Sequence, residues 1–163
     1  MRKVRFLALF LLGLLVIAGQ ASASGGGGEF RTTLLGRNEV PPRDTAAHGS
    51  AQYHIANNHL SVSYKLNIAN IHNVVAGHIH LAPAGDNGPV VVNLVSATAC
   101  RTLPNGIQCA GTFTAADLVG PLAGHPLSDL LTAMEQGGTY TNVHTTQFPG
   151  GEVRGQNGHG SGR

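Results

Sequence analysis

Residues 60–68 read Leu-Ser-Val-Ser-Tyr-Lys-Leu-Asn-Ile, an unbroken alternation of apolar and polar side chains. Consecutive side chains of a β-strand point to opposite faces of a sheet, so the alternation predicts a strand with one face on a core and the other in water. A shorter alternating run precedes it at residues 51–55. Asn57-Asn58 lies between the two runs and can adopt the left-handed backbone that a hairpin turn needs. The side chains expected on the core face of the longer strand are Leu60, Val62, Tyr64, Leu66 and Ile68.

Further strand-like segments lie on both sides of this hairpin, and turn residues separate them. Charged residues make up only 11% of the chain and glycine occurs 23 times, which favours short strands joined by turns over a helical bundle. About eight strands at this spacing predict an all-β sandwich or Greek-key barrel. The further segments are Phe30–Leu35, Val74–Leu81, Pro89–Val95, Ile107–Thr114, Thr139–Thr145 and Glu152–Gln156.

One short helix is expected in a connection between strands. Four apolar residues fall at the spacing i, i+3, i+4 and i+7, which is one helical face. Ser128 is positioned to cap its N-terminus, and Gly137-Gly138 ends it. A shorter turn is expected where Thr114 and Asp117 have the spacing of a capping box. The four apolar residues are Leu127, Leu130, Leu131 and Met134.

The N-terminus has the three parts of a secretory signal peptide. Residues 2–5 carry three positive charges, residues 6–18 form an apolar segment, and Ala21-Ser22-Ala23 is a cleavage signal. The apolar segment is short for a membrane-spanning helix, which needs about 20 residues. We therefore expect residues 1–23 to be removed after Ala23 and the protein to be secreted or periplasmic. An uncleaved N-terminal anchor is the alternative.

The remaining chain divides into a Gly-rich linker at residues 24–28, one folded domain at residues 29–157 and a disordered tail at residues 158–163. Three of the ten Lys and Arg residues lie in the signal peptide, which leaves seven against eight Asp and Glu residues. A nearly neutral domain lacks the basic stripe that a nucleic-acid partner requires and has little attraction for an anionic membrane. No membrane span is expected after cleavage, and the partner is a metal ion or an unidentified extracytoplasmic protein.

Cys100 and Cys109 are the only cysteines, so a single intrachain disulfide is possible. Export would place them in an oxidising compartment, and Pro104-Asn105-Gly106 between them is a strong turn signal. A hairpin would bring the two thiols together, and the cross-link would stabilise the fold by about 2–3 kcal/mol. Two free buried thiols are the alternative.

Histidine is unusually frequent, with nine residues, and His78-Ile79-His80 is the sharpest local pattern. Residues two apart in a strand share a face, so both imidazoles can reach one ion. His144 lies in a second expected strand, and three histidines with an open fourth position suit zinc or copper. Histidines that only hydrogen-bond their neighbours, without metal, are the alternative.

The other histidines are expected to be solvated, with His72 a candidate auxiliary ligand. Asn142 and Glu152 are candidate partners that would orient the imidazoles of the metal site. No nucleophile elbow, phosphate-binding loop or dinucleotide motif occurs in the sequence. The expected solvated histidines are His48, His54, His59, His72, His125 and His159.

Several ordered motifs together resemble the CHRD domain, which is named after chordin and is widespread as an exported bacterial module. The motifs lie at residues 38–42, 76–80, 85–90, 140–145 and 149–156, and the resemblance covers Phe30 to Gln156. The resemblance implies an immunoglobulin-like β-barrel with a distant similarity to copper/zinc superoxide dismutases. It implies no particular biochemical activity.

The dismutase similarity implies roles for four residues. His78, His80 and His144 occupy the places of copper ligands, and Arg154 stands where dismutases carry an arginine that attracts superoxide. The zinc subsite has no counterpart, because the next histidine after His80 is His125. A copper-only redox enzyme, a metal-binding protein and a metal-free module are all compatible with this pattern.

Our first hypothesis is an exported, non-catalytic binding or structural module that holds one copper or zinc ion with His78, His80 and His144. The second is a copper-dependent enzyme of superoxide dismutase type, in which Arg154 steers the anion to the site. The third is a metal-free protein-binding module, in line with the extracellular role of chordin.

Overall fold

A computed structural model of the chain describes residues 28–159. The expected signal peptide at residues 1–23, residues 24–27 of the expected linker and residues 160–163 of the expected tail lie outside the described residues.

The predicted all-β class with a single short helix is confirmed. The helix and strands are β1 Glu29–Leu35, β2 His48–Ile55, β3 Ser61–Ala69, β4 Val74–Leu81, β5 Val90–Asn93, β6 Cys100–Leu103, β7 Gly106–Thr114, α1 Leu127–Glu135, β8 Thr139–Thr145, β9 Val153–Gln156 and β10 Gly158–His159. Three single 3₁₀ turns lie at Gly36–Asn38, Ala115–Asp117 and Gly120–Leu122. The strands form one curled antiparallel sheet in the order β5-β4-β8-β9-β1-β2-β3-β7-β6, and β10 pairs with β1.

The core lies on one face of the curled sheet and under the helix. In β3 the apolar residues from Val62 to Ile68 are buried and the polar residues between them are exposed, as the alternation predicts. Each large apolar side chain removed from water contributes about 1.5–3 kcal/mol, so the buried face of β3 contributes to the driving force of folding. The helix adds its expected apolar face of Leu127, Leu130, Leu131 and Met134.

The hairpin between β2 and β3 differs from expectation at two residues. Leu60 lies before the strand and is 68% exposed, so its assignment to the core was wrong. The left-handed backbone belongs to His59, with φ at 58°, and not to Asn57-Asn58. The reason is that Asn58 uses its side-chain oxygen to accept a hydrogen bond from the Leu60 amide at 3.0 Å, which closes the turn locally.

Two helical ends also test the capping predictions. The helix begins at Leu127 with Pro126 at the N-cap, so Ser128 lies in its first turn and is not the cap. The fixed φ of proline makes Pro126 a natural boundary. The capping box of Thr114 and Asp117 is confirmed, because the Thr114 amide donates to Asp117 at 2.8 Å.

The cysteine pair joins the two strands of the expected hairpin. Cys100 and Cys109 are bonded, and they are directly paired across β6 and β7. Gly106 begins β7 with φ at 156°, a backbone conformation that a side chain would disfavour at this turn.

The end of the domain extends beyond the expected boundary at residue 157. Gly158–His159 forms β10 and pairs with Phe30 and Arg31 of β1. The His159 ring lies 4.7 Å from the Phe30 ring, and this contact holds residues that were expected to belong to the disordered tail.

None of the helices formed by residues 28–159 is long and apolar enough to cross a membrane.

The neighbouring strands β4, β8 and β9 carry the candidate site residues. Ile79, Val143 and Val153 face the core, so the residues alternating with them lie on the outer face of the sheet. In the register of the three strands, Asn142 of β8 lies between His78 of β4 and Arg154 of β9. This outer face is where the expected metal ligands lie.

Candidate metal centre

The pairing of β4 with β8 brings three imidazoles together. His78 and His80 lie on the same side of β4. In the pairing of the two strands, His144 of β8 lies opposite Ala76 of β4, next to the pair of Asn142 and His78. One nitrogen from each ring can be chosen so that all three atoms lie within 4.8 Å of one another. The closest pair is His78 Nδ1 and His144 Nε2, which are 3.1 Å apart. The convergence on which the sequence-based hypothesis depends is present in the structure.

Backbone carbonyls set the orientation of two of the rings. His80 Nδ1 lies 2.8 Å from the Gly88 oxygen, and His144 Nδ1 lies 2.9 Å from the Pro149 oxygen. A carbonyl oxygen only accepts, so each Nδ1 carries the proton and each Nε2 carries the lone pair. A metal-binding histidine usually donates its other ring N–H in this way. Nε2 of His80 and Nε2 of His144 are therefore free of protons and can bind an ion, whereas His78 Nδ1 donates its proton to His144 Nε2 and can bind the same ion only after His78 changes to its other tautomer.

The environment keeps the three imidazoles neutral. Burial is the main cause that lowers the pKa of each ring, and it lowers the pKa of His78 to about 4. The neighbouring rings of His144 and His80 lower the His78 pKa further, because two positive charges so close together repel. A neutral imidazole is the form that binds a metal ion, so the site needs little proton release before it can coordinate.

One ring nitrogen has no other use within the described part of the chain. His80 is only 7% exposed, and its Nε2 has no hydrogen-bond partner among residues 28–159. A buried polar atom without a partner costs about 1–3 kcal/mol. A bound ion would use this lone pair, so the residues present fit a transition-metal ion.

The Tyr140 ring packs against the His80 ring, and the sequence analysis did not predict this contact. The two rings are stacked, with centroids 4.7 Å apart and planes 6° from parallel. The Arg154 guanidinium carbon lies 3.4 Å from the Tyr140 centroid. This packing restrains the His80 ring. Tyr140 could have been identified only from the strand register, which pairs it with His80.

Asn142 lies next to the histidine cluster. It is 2% exposed and pairs with His78 across the strands. Its side chain lies beside His80, where it opposes the lowering of the imidazole pKa by burial. Asn142 Oδ1 itself has no hydrogen-bond partner within the described range 28–159.

Glu152 has different partners from those expected. Its two carboxylate oxygens accept hydrogen bonds at 2.7 Å from the hydroxyl groups of Thr45 and Thr145. In the part of the chain that the structure covers, the hydrogen bonds of the three histidine rings go to each other or to backbone carbonyls, and none of them goes to Glu152. Glu152 therefore holds the loop after β8 and does not orient an imidazole directly.

Arg154 lies on the same outer face, but it is 1% exposed. Its guanidinium donates to the backbone oxygens of Asp86 and Pro83 and to Asn87 Oδ1, at 2.7, 3.3 and 3.1 Å. These bonds fasten the loop after β4 over the sheet. The expected role in attracting an anion would require an accessible guanidinium, and the structure gives this residue a different task.

Glu39 is the second residue that the sequence reading missed. It is 3% exposed, and burial raises its pKa to about 7 against the opposing influence of Arg154 and Arg43. It lies in one of the motifs that carry the family resemblance, but a single glutamate beside two prolines has no chemical signature. Only the folding of the loop after β1 over the sheet brings it to this site.

The remaining histidines lie away from the trio. His72 is exposed and is not part of the cluster, so it is not an auxiliary ligand in this structure. The other histidines expected to be solvated are also exposed. Across residues 28–159, the group formed by His78, His80 and His144 is the one cluster of three or more potential ligands close enough to share an ion.

Comparison with known proteins gives one finding. A family model described as the CHRD domain matches residues 30–157, which is most of the chain. Neither a curated protein nor a solved structure matches the sequence.

Proposed function

The chain belongs to the CHRD domain family, and from this premise we propose that it is an exported, non-catalytic binding module that holds one copper or zinc ion with His78, His80 and His144. The observation that carries the proposal is the convergence of three ring nitrogens within 4.8 Å of one another, each from an imidazole with a lowered pKa. An ion bound here would supply a localised positive charge with one open coordination position.

The chemistry of the donor set selects the class of ion. Imidazole nitrogen suits zinc and copper, whereas calcium and magnesium need several oxygen ligands. His80 and His144 offer Nε2 with Nδ1 already bonded to a carbonyl, which is the arrangement that strengthens a ligand. Zinc and copper are therefore the two ions to test.

Export belongs to the same proposal. The disulfide between Cys100 and Cys109 suits an oxidising compartment, and a CHRD domain fits an extracellular module. The signal peptide expected at residues 1–23 would direct the chain there. The protein would then meet metal ions outside the cytoplasm, in the periplasm or beyond the cell.

A superoxide-consuming enzyme is the weaker alternative because of Arg154. An arginine that draws an anion to a metal must leave its N–H groups free, but those of Arg154 are used to hold the loop after β4. A copper-loaded sample should consume superoxide no faster than an equal amount of free copper.

Equilibrium titration of the purified protein with Zn²⁺, and separately with Cu²⁺, tests the proposed function. The wild type should bind one ion per chain, and the double variant His78→Ala/His80→Ala should lose that binding. His54→Ala/His125→Ala is the matched control, since both of these histidines are exposed and lie outside the trio. Equal uptake by the wild type and the first double variant would rule out this site.

A further inference from the structure

The loop after β1 carries a buried carboxyl group onto the outer face of β8. Glu39 follows the 3₁₀ turn Gly36–Asn38, and Asn38 fastens this turn by donating to the Arg154 backbone oxygen at 3.1 Å. The next residue, Val40, accepts a hydrogen bond from Asn87 at 2.9 Å. The loop is held on both sides of Glu39, so the position of its carboxyl group is fixed by the fold.

The Glu39 carboxyl group lies against Asn142. The Asn142 side chain lies close enough to lower the Glu39 pKa against the effect of burial, while Glu39 Oε1 has no hydrogen-bond partner within the segment 28–159. Gly151 covers both groups, because a Cβ there would collide with Glu39 Oε1 and Asn142 Nδ2. The absence of a side chain at Gly151, where φ is 118°, allows the carboxyl group and the carboxamide to meet.

Asn142 links this carboxyl group to the histidines. It lies on β8 directly opposite His78, and its side chain raises the pKa of the His80 imidazole against the lowering by burial. The Nδ2 atom of the Asn142 carboxamide lies on the side of Glu39, so its Oδ1 atom is the acceptor that remains for the imidazoles. The orientation of this acceptor beside the imidazoles therefore depends on Glu39.

We propose that Glu39 is a positioning residue of the metal centre, which fixes the Asn142 carboxamide beside His78 and His80 and couples ion binding to the charge on its own carboxyl group. This inference rests on the proposed function, because it concerns how the same three histidines bind an ion. Glu39 does not touch the ion and acts through Asn142 and through its charge.

Near neutral pH, Glu39 is the group of this cluster that changes charge. Burial raises its pKa to about 7, while the pKa values of the three imidazoles are lowered from 6.5. The charged groups that face Glu39 are Arg43, from its own loop, and Arg154, from β9; β8 contributes the neutral Asn142 and the loop before β9 contributes Gly151. A bound cation favours the carboxylate, so by linkage ion affinity should rise as pH increases through 7.

Zinc affinity, measured by competition with a chromophoric chelator at about pH 6 and about pH 8, tests this role. Glu39→Ala removes the acceptor for Asn142 and should lower affinity about 10–100-fold at both pH values, as loss of an outer partner of a ligand does. Glu39→Gln keeps an acceptor oxygen and should restore affinity at the lower pH. Zinc affinity should rise between about pH 6 and about pH 8 in the wild type, and this rise should be absent in Glu39→Gln.

Glu152→Gln is the matched control for the second variant. Glu152 is also buried, and it is held by Thr45 and Thr145 instead of Asn142, so this variant should keep the rise in affinity between the two pH values. If Glu39→Ala does not fold, the pH dependence of Glu39→Gln decides alone. A Glu39→Gln profile identical to that of the wild type would overturn this inference while leaving the proposed function intact. Failure of the wild type to bind either zinc or copper would overturn the proposed function itself.

Discussion

Strands β3 and β8 belong to the same sheet, but their outer faces differ. In β3 the outward residues Ser63, Lys65 and Asn67 are exposed, and burial alternates along the strand. In β8 the residues on both faces are buried, apart from the half-buried His144. The difference comes from the loops after β1, β4 and β8, which cover β8 and leave β3 in water.

This covering places polar side chains in a buried environment. A polar group in water needs no particular partner, whereas a buried one must be paired and is held in one geometry. Most of the buried polar residues of the described chain accordingly lie on β8, β9 or the loops over them. They are Glu39, Thr139, Thr141, Asn142, Thr145, Glu152, Arg154 and Asn157, whereas His80 lies on β4 and Thr32 on β1.

The largest effect should come from removing the cation that fastens the covered face. Arg154→Ala leaves two backbone oxygens and Asn87 without a donor and takes a positive charge from beside Glu39, so we expect a loss of about 3 kcal/mol or more. Lys65→Ala on the exposed face of β3 should change stability by no more than about 0.5 kcal/mol. Urea unfolding of both variants measures the contrast, and similar losses would mean that the two faces do not differ energetically.

The disulfide should stabilise the other end of the sheet without affecting the site. Cys100 and Cys109 lie in β6 and β7, at the opposite end of the strand order from β4. Replacing both by alanine opens a short loop and should cost about 2–3 kcal/mol. Zinc stoichiometry at a temperature where the variant remains folded should stay at one per chain. Loss of zinc binding in the folded variant would contradict the separation of the two regions.

Acid should weaken the covered face through His78. The folded ring remains neutral down to a pKa of about 4, whereas the unfolded ring takes up a proton below 6.5. The unfolded state then binds more protons, so this residue contributes stability that is present above pH 6.5 and is lost as pH falls towards 4. The stability difference between the wild type and His78→Asn, followed by urea unfolding across this range, should shrink on acidification. The exposed His54→Asn variant serves as the comparison, and a constant difference for His78→Asn would refute the assignment.

Among the residues around the site, the smallest effect on stability is expected at Tyr140, whose ring packs against His80. Tyr140→Phe keeps the ring that stacks on His80 and removes only the hydroxyl that accepts from the Gly88 amide at 3.3 Å. We expect a loss of about 0.5–1.5 kcal/mol in unfolding free energy and little change in zinc affinity. A large fall in affinity would show that the hydroxyl, and not the stacked ring, supports the imidazole.

The same contrast explains what the sequence could predict. The alternation of residues 61–68 reports a strand with one wet face, and His78 and His80 share a side because strands have a period of two. His144 could be proposed as a ligand, but its closeness to the other two depends on β4 and β8 being neighbours in space although 57 residues separate Leu81 from Thr139 in the chain. Alternation does not reveal which strands pair.

The residues over β8 were harder to interpret, because loops carry no periodic pattern. Glu39 and Tyr140 were missed, and Arg154 was expected to attract an anion from solvent although the loop after β4 covers it. A charged residue is usually exposed, so the sequence gives no sign that a loop will bury it. The covered face could be recognised only after the loops were in place.

X-ray absorption spectroscopy of the zinc-loaded protein tests the central claim most directly, because it counts imidazole ligands around the ion. Three histidine nitrogens at about 2.0–2.1 Å are expected in the wild type, and this signature should be lost in His78→Ala/His80→Ala. A zinc ion with fewer than three imidazole ligands, or an identical spectrum in the double variant, would contradict the proposal that His78, His80 and His144 hold the metal.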